Sequence, residues 1–178
     1  WIATEAGLYY MNPSNKEMQH FTHLAEDTNT LSTDRLKCIY LQGDTVWVGT
    51  NGGGLNCLVY EHENGKAVNI KVARIGKEDG LSNNVIYGIE LDENTNSLWM
   101  STNGGLNCYQ VETGKTRYYV EEDGLQSNEF NTKSYLKSED GRMYFGGING
   151  LNAFYPEQVN KASFPPPLII SDLRVLGQ

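Results

Sequence analysis

Clustered carboxylates are the side chains of this sequence whose spacing comes closest to that of a catalytic site. Residues 121–123 are all acidic, and Glu78 and Asp79 stand at the matching place of an earlier, similar segment. A retaining glycosidase needs two carboxylates about 5–5.5 Å apart in different environments. The acidic pair instead recurs directly before Gly-Leu, which indicates a repeated turn. We therefore predict no catalytic residue.

Metal-ligand and nucleophile patterns are also weak. His20 and His23 flank Phe21, and on a strand a spacing of three places them on opposite faces. The sequence has no P-loop, GxSxG, HExxH or paired CxxC motif. Its three cysteines are interpreted as small apolar packing residues. We predict no metal site and no cofactor.

Composition narrows the possible partners. The formal net charge is −8, with 22 acidic and 14 basic residues among 178. A nucleic-acid-binding domain usually carries a basic surface, so nucleic acid is not an expected partner. No run approaches the roughly 18 apolar residues of a membrane helix. The chain starts in the middle of a repeat, so we expect it to be part of a longer protein.

One phrase occurs four times along the chain. Residues 47–57 read WVGTNGGGLNC and residues 99–108 read WMSTNGGLNC, with weaker copies at 1–10 and 144–154. In each copy Gly-Leu follows a leading aromatic residue by six or seven positions. A second marker, EDGL, begins at 78 and at 122. Such internal periods are typical of repeat proteins. The leading aromatic residues are Trp1, Trp47, Trp99 and Tyr144.

Each repeat reads as short strands separated by turns. In the copy from 84 to 120, strands are predicted at 85–91, 98–102, 106–111 and 115–120. Four short strands in about 45 residues are typical of a β-propeller blade. The fold class predicted is therefore all-β, with about four four-stranded antiparallel sheets in an incomplete ring. The blades are placed near 1–28, 29–77, 78–120 and 121–160, with 3, 4, 4 and 3 strands.

The shared residues of the repeat are assigned to the fold. The aromatic residue on the second strand fills the wedge between adjacent sheets. Gly54 and Gly105 allow a sharp turn into the third strand. Asn51 and Asn103 are predicted to cap that turn through side-chain bonds to the backbone.

The amino-acid sequence of the later repeats resembles that of a known family. Segments 98–130 and 143–159 are similar to the two-component regulator propeller repeat. The stretch from Asp140 to Gly150 resembles the last blade of such propellers, and residues 154–156 match the Phe-x-Pro that follows it. The prolines at 165–167 and the strand predicted at 168–176 resemble a linker into an immunoglobulin-like domain.

The resemblance implies a domain division and a function. Residues 1–160 would be the C-terminal part of a second sensor propeller, and 161–178 a linker with the first strand of the next domain. The parent would be a hybrid two-component histidine kinase anchored in the inner membrane, with this segment in the periplasm. It would sense oligosaccharides from a degraded glycan and transmit the signal to the cytoplasmic kinase, without catalysis by the segment itself.

Ligand-contacting residues are expected where the repeats differ, because shared residues serve the fold. In a propeller, the loops leading into the first strands share one face with the hairpins between second and third strands. Aromatic rings suit a sugar ring, and cations suit sulfate or uronate groups. The variable positions near the starts of the first strands are Arg35, Tyr87, Asn131 and Lys133.

Two other functions remain open from the sequence. The segment could be a protein-interaction propeller or, third, a polysaccharide-active enzyme. An incomplete ring leaves apolar blade flanks and unpaired strand edges exposed, which favours association. We therefore expect self-association through flanks or edges.

Overall fold

A computed structural model describes residues 1–159 and places them in four antiparallel sheets. The sheets contain three, four, four and three strands along the chain, which confirms the predicted fold class. No described helix is long and apolar enough to cross a membrane. The linker and strand predicted within 161–178 lie outside the described residues, so the domain division stays a prediction.

Every sheet is formed by strands that are consecutive in sequence. Sheet 1 contains β1 (Ile2–Thr4), β2 (Gly7–Met11) and β3 (Met18–Phe21). Sheet 2 contains β4 (Leu36–Gln42), β5 (Thr45–Thr50), β6 (Leu55–Glu63) and β7 (Lys66–Ile75). Sheet 3 contains β8 (Ile86–Asp92), β9 (Ser97–Thr102), β10 (Gly105–Gln110) and β11 (Thr116–Tyr119). Sheet 4 contains β12 (Phe130–Lys137), β13 (Met143–Gly147) and β14 (Gly150–Phe154), followed by the short helix α1 (Pro156–Val159).

The first strands of successive sheets lie side by side. Strand β4 contacts β8, and β8 contacts β12, while the fourth strands β7 and β11 lie at the far edges of their sheets. We call β4, β8 and β12 the inner strands. Sheet 1 has no strand of this kind among the described residues, and β1 contacts β4 directly. This arrangement is that of adjacent propeller blades.

The leading aromatic residues occupy equivalent places, as predicted. Trp1 immediately precedes β1, which pairs with β2 as β5 pairs with β6. In the other sheets the leading aromatic residues lie on the second strands, and each is paired with an equivalent residue of the third strand. Trp47 lies opposite Cys57, Trp99 opposite Cys108, and Tyr144 opposite Ala153.

Each tryptophan reaches forward to an aromatic ring on the third strand of the next sheet. The ring centroids are 5.0 Å apart for Trp1 and Tyr60, and 6.0 Å apart for Trp47 and Tyr109. For Trp99 and Phe154 the distance is 4.9 Å. Such pairs add about 0.5–1.5 kcal/mol beyond the burial of their area. The repeated tryptophan therefore fills the seam between sheets.

The turn into the third strand needs glycine. Gly54 has φ 75° and Gly105 has φ 101°, both in the left-handed region that side chains with a Cβ avoid. A Cβ on Gly105 would also lie against the carbonyl oxygen of Tyr119 on the neighbouring strand. The positive φ predicted for Gly105 is confirmed.

Threonine, and not the predicted asparagine, caps this turn. The Thr102 hydroxyl donates to the carbonyl of Gly105 at 2.8 Å and accepts from the N–H of Gly104 at 3.0 Å. Thr50 makes the same pair of bonds in sheet 2. The Asn103 side chain instead accepts a hydrogen bond from a tyrosine hydroxyl.

The asparagine of the repeated Leu-Asn pair is buried and has a structural role. The Asn107 Oδ1 accepts from the backbone N–H of Ser82 at 2.9 Å, and its Nδ2 donates to the Ser82 hydroxyl at 2.8 Å. Asn56 binds Ser32 in the same way. Each asparagine fastens the loop that leads into its own sheet.

Candidate functional site

One face of the sheet array holds the predicted site residues. We define this upper face by the hairpins β1–β2, β5–β6, β9–β10 and β13–β14. Backbone hydrogen bonds of 2.7–2.9 Å join each of the first three hairpins to the loop leading into the next sheet. The bonds run from Gly7 to Asp34, from Gly54 to Asn84, and from Gly105 to Asn128.

Arg35 lies immediately before β4 and contacts Glu5 of the β1–β2 hairpin. The Arg35 Nε and the Lys37 Nζ are each 3.3 Å from a different oxygen of the Glu5 carboxylate. Hydrogen bonds from Arg35, and next from Lys37, hold the pKa of the Glu5 carboxyl below its usual value. Two cations thus contact a single carboxylate, so this part of the surface has a net positive charge. Solvent-exposed pairs of this kind stabilise a fold little.

Lys37 is a residue of this face that sequence reasoning missed. It lies six positions after Leu31, as Tyr87 and Asn131 lie six positions after Leu81 and Leu125. The alignment of repeats therefore contained the signal. Lys37 is half-buried, and β4 positions it beside Arg35 at the same carboxylate.

Tyr87 lies near the start of β8 and is half-buried. Its hydroxyl donates to the Asn103 Oδ1 at 2.9 Å, which ties the inner strand to the β9–β10 hairpin. Its ring packs at the margin of the apolar cluster that contains Trp99 and Phe130. Part of the ring therefore remains open to solvent.

Asn131 and Lys133 lie near the start of β12 and are exposed. The register of β12 against β13 shifts between Phe130 and Tyr135, and Lys133 within this bulge has φ 60°. Within residues 1–159, neither side chain has a hydrogen bond or an ion pair. Both are thus available to a ligand.

The four predicted residues lie near the upper ends of neighbouring inner strands. Arg35 precedes β4, Tyr87 belongs to β8, and the other two belong to β12. In the described part of the chain, no hydrogen bond or ion pair joins any one of the four to another. Their role as a common site stays a prediction.

The lower half of the inner strands carries a second polar group. Burial, opposed by the charge of Lys137, raises the pKa of the Glu90 carboxyl. The Lys137 Nζ donates to the Leu91 carbonyl at 2.8 Å and contacts the Glu93 carboxylate. Burial also raises the pKa of Tyr135 to about 12. Lys137 thus joins β12 to the end of β8 and the turn after it, and we assign these groups to the fold.

The carboxylates that recur in the sequence serve turns. The Asp79 Oδ2 accepts from the N–H of Gly76 at 2.8 Å, and the Asp123 Oδ2 accepts from the N–H of Val120 at 2.9 Å. Each aspartate closes a short 3₁₀ turn that leads into an inner strand. The turn role predicted from the recurrence of these aspartates is therefore confirmed.

Histidine and cysteine side chains bind or pack within the fold. The His20 ring bonds the Ala6 carbonyl at 2.8 Å, and the His23 ring bonds the Leu31 carbonyl at 2.7 Å. Burial raises the pKa of the Cys38 thiol to about 12. Among the described residues, no group of three or more His, Cys, Asp or Glu could hold a metal ion.

Comparisons with known proteins found relatives among two-component signalling proteins. No protein-family model matches the chain. The chain is 32% identical over 181 aligned residues to histidine kinase P4 of Formosa agariphila; the match covers 100% of this chain and 13% of that protein.

Two solved structures have a similar fold. One is the extracellular domain of the putative hybrid two-component system BT3049 from B. thetaiotaomicron, with TM-score 0.58 and 23% identity. That match covers 100% of this chain and 29% of the solved chain. The corresponding domain of BT4673 has TM-score 0.53 and 16% identity, and the match covers 90% of this chain and 27% of the solved one.

These matches bear on the resemblance seen in the repeats. The chain spans 13% of the curated relative, so the activity of a whole protein is not transferred to it. At sequence identities of 23% and 16%, the two solved structures show only that the fold is similar. The predicted resemblance is nevertheless confirmed: the chain is similar over its whole length to part of a histidine kinase, and it has the propeller-blade fold of the extracellular domains of hybrid two-component systems.

Proposed function

We propose that the chain is a non-catalytic part of the periplasmic sensor region of a hybrid two-component histidine kinase. The observation that carries the proposal is the 32% identity to a histidine kinase along the entire chain. The similar solved structures are extracellular domains, which supports a place outside the cytoplasm. In this proposal the parent protein is anchored in the inner membrane, and its kinase lies in the cytoplasm.

The signal that we propose is an oligosaccharide released from a glycan, bound at the upper face. Arg35 and Lys37 supply two cations, and Lys133 supplies a third that is unpaired within residues 1–159. A guanidinium group can bind a carboxylate or sulfate through two parallel hydrogen bonds. The partly exposed Tyr87 ring and the Asn131 amide add an apolar face and hydrogen-bonding groups. This combination suits a saccharide that carries uronate or sulfate.

An enzymatic function is the less favoured alternative. The recurring aspartates accept backbone hydrogen bonds within turns, and the raised pKa of Glu90 belongs to a carboxyl held between inner strands. The nearby Glu93 carboxylate contacts Lys137, so it takes part in the contact between sheets 3 and 4. A sensor that binds without turnover fits this chemistry better.

Calorimetric titration tests the ligand. Oligosaccharides that bear uronate or sulfate are expected to bind the chain more tightly than neutral ones of equal length. The double variant Arg35→Ala, Lys37→Ala is expected to bind about 10-fold more weakly, equivalent to about 1.4 kcal/mol. Lys71→Ala removes an exposed cation from the outer strand β7 and should leave the affinity unchanged. Equal affinity of the double variant and the unchanged chain contradicts the proposed site.

We also propose self-association as a second property, because the end flanks of the array are apolar. On sheet 1, Ile2 and Met18 are 43% and 54% exposed. On sheet 4, Leu136 and Leu151 are 59% and 60% exposed. Exposed apolar patches of this kind mark interaction surfaces. The occupant that we propose is a flank of a second copy of the chain.

A further inference from the structure

The carboxylate of Glu5 occupies the pair of cations that the upper face offers to a ligand. One of its oxygens contacts the Arg35 Nε and the other contacts the Lys37 Nζ, each at 3.3 Å. A carboxylate between a guanidinium and an ammonium group has the arrangement that a bound carboxylate or sulfate would take. The chain's own side chain therefore shows what kind of group this place accepts.

The contacts that hold the Glu5 carboxylate are long for charged groups. Hydrogen bonds between an ionised nitrogen and a carboxylate are usually about 2.7–2.9 Å long, and the strongest pairs have two parallel bonds from one guanidinium. Arg35 donates from its Nε at 3.3 Å, and no second bond joins these two side chains in the described part of the chain. The Arg35 and Glu5 side chains are 63% and 60% exposed. Ion pairs as exposed as this stabilise a fold little, so an external anion can replace Glu5 at small cost.

The backbone that carries Glu5 is fixed independently of these contacts. The Thr4 hydroxyl donates to the Gly7 carbonyl at 2.8 Å and accepts from the Ala6 N–H at 3.0 Å. The Gly7 N–H in turn donates to the Asp34 carbonyl at 2.8 Å. The Glu5 side chain can therefore turn away from the cations while the β1–β2 hairpin keeps its place against sheet 2.

The hairpin position of Glu5 is uncharged in the next two sheets. The residue that follows the capping threonine is Glu5 in sheet 1, Asn51 in sheet 2 and Asn103 in sheet 3. The Asn103 Oδ1 accepts a bond of 2.9 Å from Tyr87, which shares its repeat position with Lys37. A carboxylate thus replaces the amide at the place where the inner strand carries cations.

Glu5 is the one carboxylate within residues 1–159 that contacts either cation. The Asp34 carboxylate, which lies next to Arg35 in sequence, accepts from the backbone N–H of His23 at 2.6 Å. The Lys37 side chain is 20% exposed, so a carboxylate at its Nζ takes up part of the room for another anion. With Glu5 turned away, the guanidinium and the ammonium group are both open to one ligand.

We propose that Glu5 is an internal competitor for the ligand of the upper face. A carboxylate or sulfate group of the ligand displaces the Glu5 side chain and takes its place between Arg35 and Lys37. Glu5 thereby lowers the affinity of the face for every oxyanion and keeps the two cations free of dilute small anions. It determines the threshold of binding without contacting the ligand in the bound state.

This inference rests on the proposed function, because it takes Arg35 and Lys37 as the binding groups, but it adds a residue that opposes binding. It does not require a saccharide. The ligand chemistry is an oxyanion, which a uronate or a sulfate ester can supply. Sodium acetate and sodium sulfate are therefore suitable probes, acetate for the carboxylate and sulfate for the ester, and the tighter probe identifies the preferred group.

NMR titration of the whole chain with each salt, at an ionic strength held constant with chloride, tests the inference. The Arg35 Nε–H resonance reports binding. Glu5→Gln should bind sulfate at least 3-fold more tightly than the unchanged chain, because an amide of nearly the same size no longer competes for the cations. Glu17→Gln removes an equal charge from the exposed turn at the other end of β2 and should leave the affinity unchanged.

A nuclear Overhauser contact between the γ-methylene of Glu5 and the ε-methylene of Lys37 reports the displacement itself. It should be present without anion and disappear at saturating sulfate. The inference is overturned if Glu5→Gln binds neither anion more tightly than the unchanged chain does, or if the Overhauser contact persists at saturation. An acidic oligosaccharide that loses affinity on loss of Arg35 and Lys37 would then leave the proposed function standing without a competitor. Tighter sulfate binding by Glu5→Gln, with no binding of any oligosaccharide, would instead support the competitor and contradict the proposed signal.

Discussion

Gly105→Ala is expected to lower the free energy of unfolding by about 2–4 kcal/mol. A left-handed backbone conformation costs a residue with a Cβ about 1 kcal/mol, and overpacking typically adds 1–3 kcal/mol. Gly105 has φ 101°, and its new Cβ would meet the Tyr119 carbonyl on the paired strand β11. Because backbone atoms cannot move aside without breaking the sheet, the two costs add. Urea unfolding followed by tryptophan fluorescence measures the change.

Gly124→Ala is the matched control. Gly124 has φ 102°, nearly the same as Gly105, yet a Cβ there would meet no atom within 4 Å. We expect a loss of about 1 kcal/mol for this variant, from backbone strain alone. The difference between the two variants isolates the clash with β11. Equal losses for both would show that the close approach of strands at Gly105 is not a constraint.

Sedimentation velocity at micromolar concentration is expected to show the chain mainly as a species larger than its mass of 19.9 kDa. Both end flanks expose large apolar side chains, and burial of apolar area contributes about 25 cal/mol per Å². The net charge of −8 on each copy opposes association. At physiological ionic strength salt screens this repulsion over roughly 8–10 Å. The free energy gained by burying the apolar flanks should therefore outweigh the charge repulsion.

Substitution at one flank locates the contact. The variant Leu136→Ser, Leu151→Ser makes the exposed flank of sheet 4 polar and is expected to sediment at the mass of one chain. Leu41→Ser changes a leucine that is 52% exposed on the inner strand β4, away from the end flanks, and should associate as before. A clean 19.9 kDa species for the unchanged chain would contradict the proposed self-association.

Local sequence patterns predicted the sheets because strand and turn signals recur within each repeat. The second strand predicted at 98–102 is observed as Ser97–Thr102, and the third, predicted at 106–111, as Gly105–Gln110. The cap of the hairpin was predicted wrongly, because asparagine and threonine are both suited to turns and only the backbone geometry distinguishes them. The hydroxyl of Thr102 reaches both sides of the turn, while Asn103 points to Tyr87.

Contacts between segments distant in sequence were harder to predict. The bond between Ser82 and Asn107 joins residues 25 positions apart, and nothing in either segment alone indicates it. The Trp47 Nε1 donates to Gln42 at 3.1 Å, whereas the buried Trp99 Nε1 has no partner among the described residues, and this difference depends on the register of whole sheets. The upper-face residues were found because repeats differ there, yet Lys37 was overlooked although it shares the position of Tyr87.

Oligosaccharide-dependent autophosphorylation of the full-length protein in membrane vesicles is the most direct test of the proposed sensor function. An acidic oligosaccharide that binds this chain is supplied only on the side of the membrane where the chain lies. We expect a change in the rate of kinase autophosphorylation, and no change when Arg35 and Lys37 are both replaced by alanine. A rate unaffected by every oligosaccharide that binds the chain, or a full-length protein without a kinase domain, would contradict it.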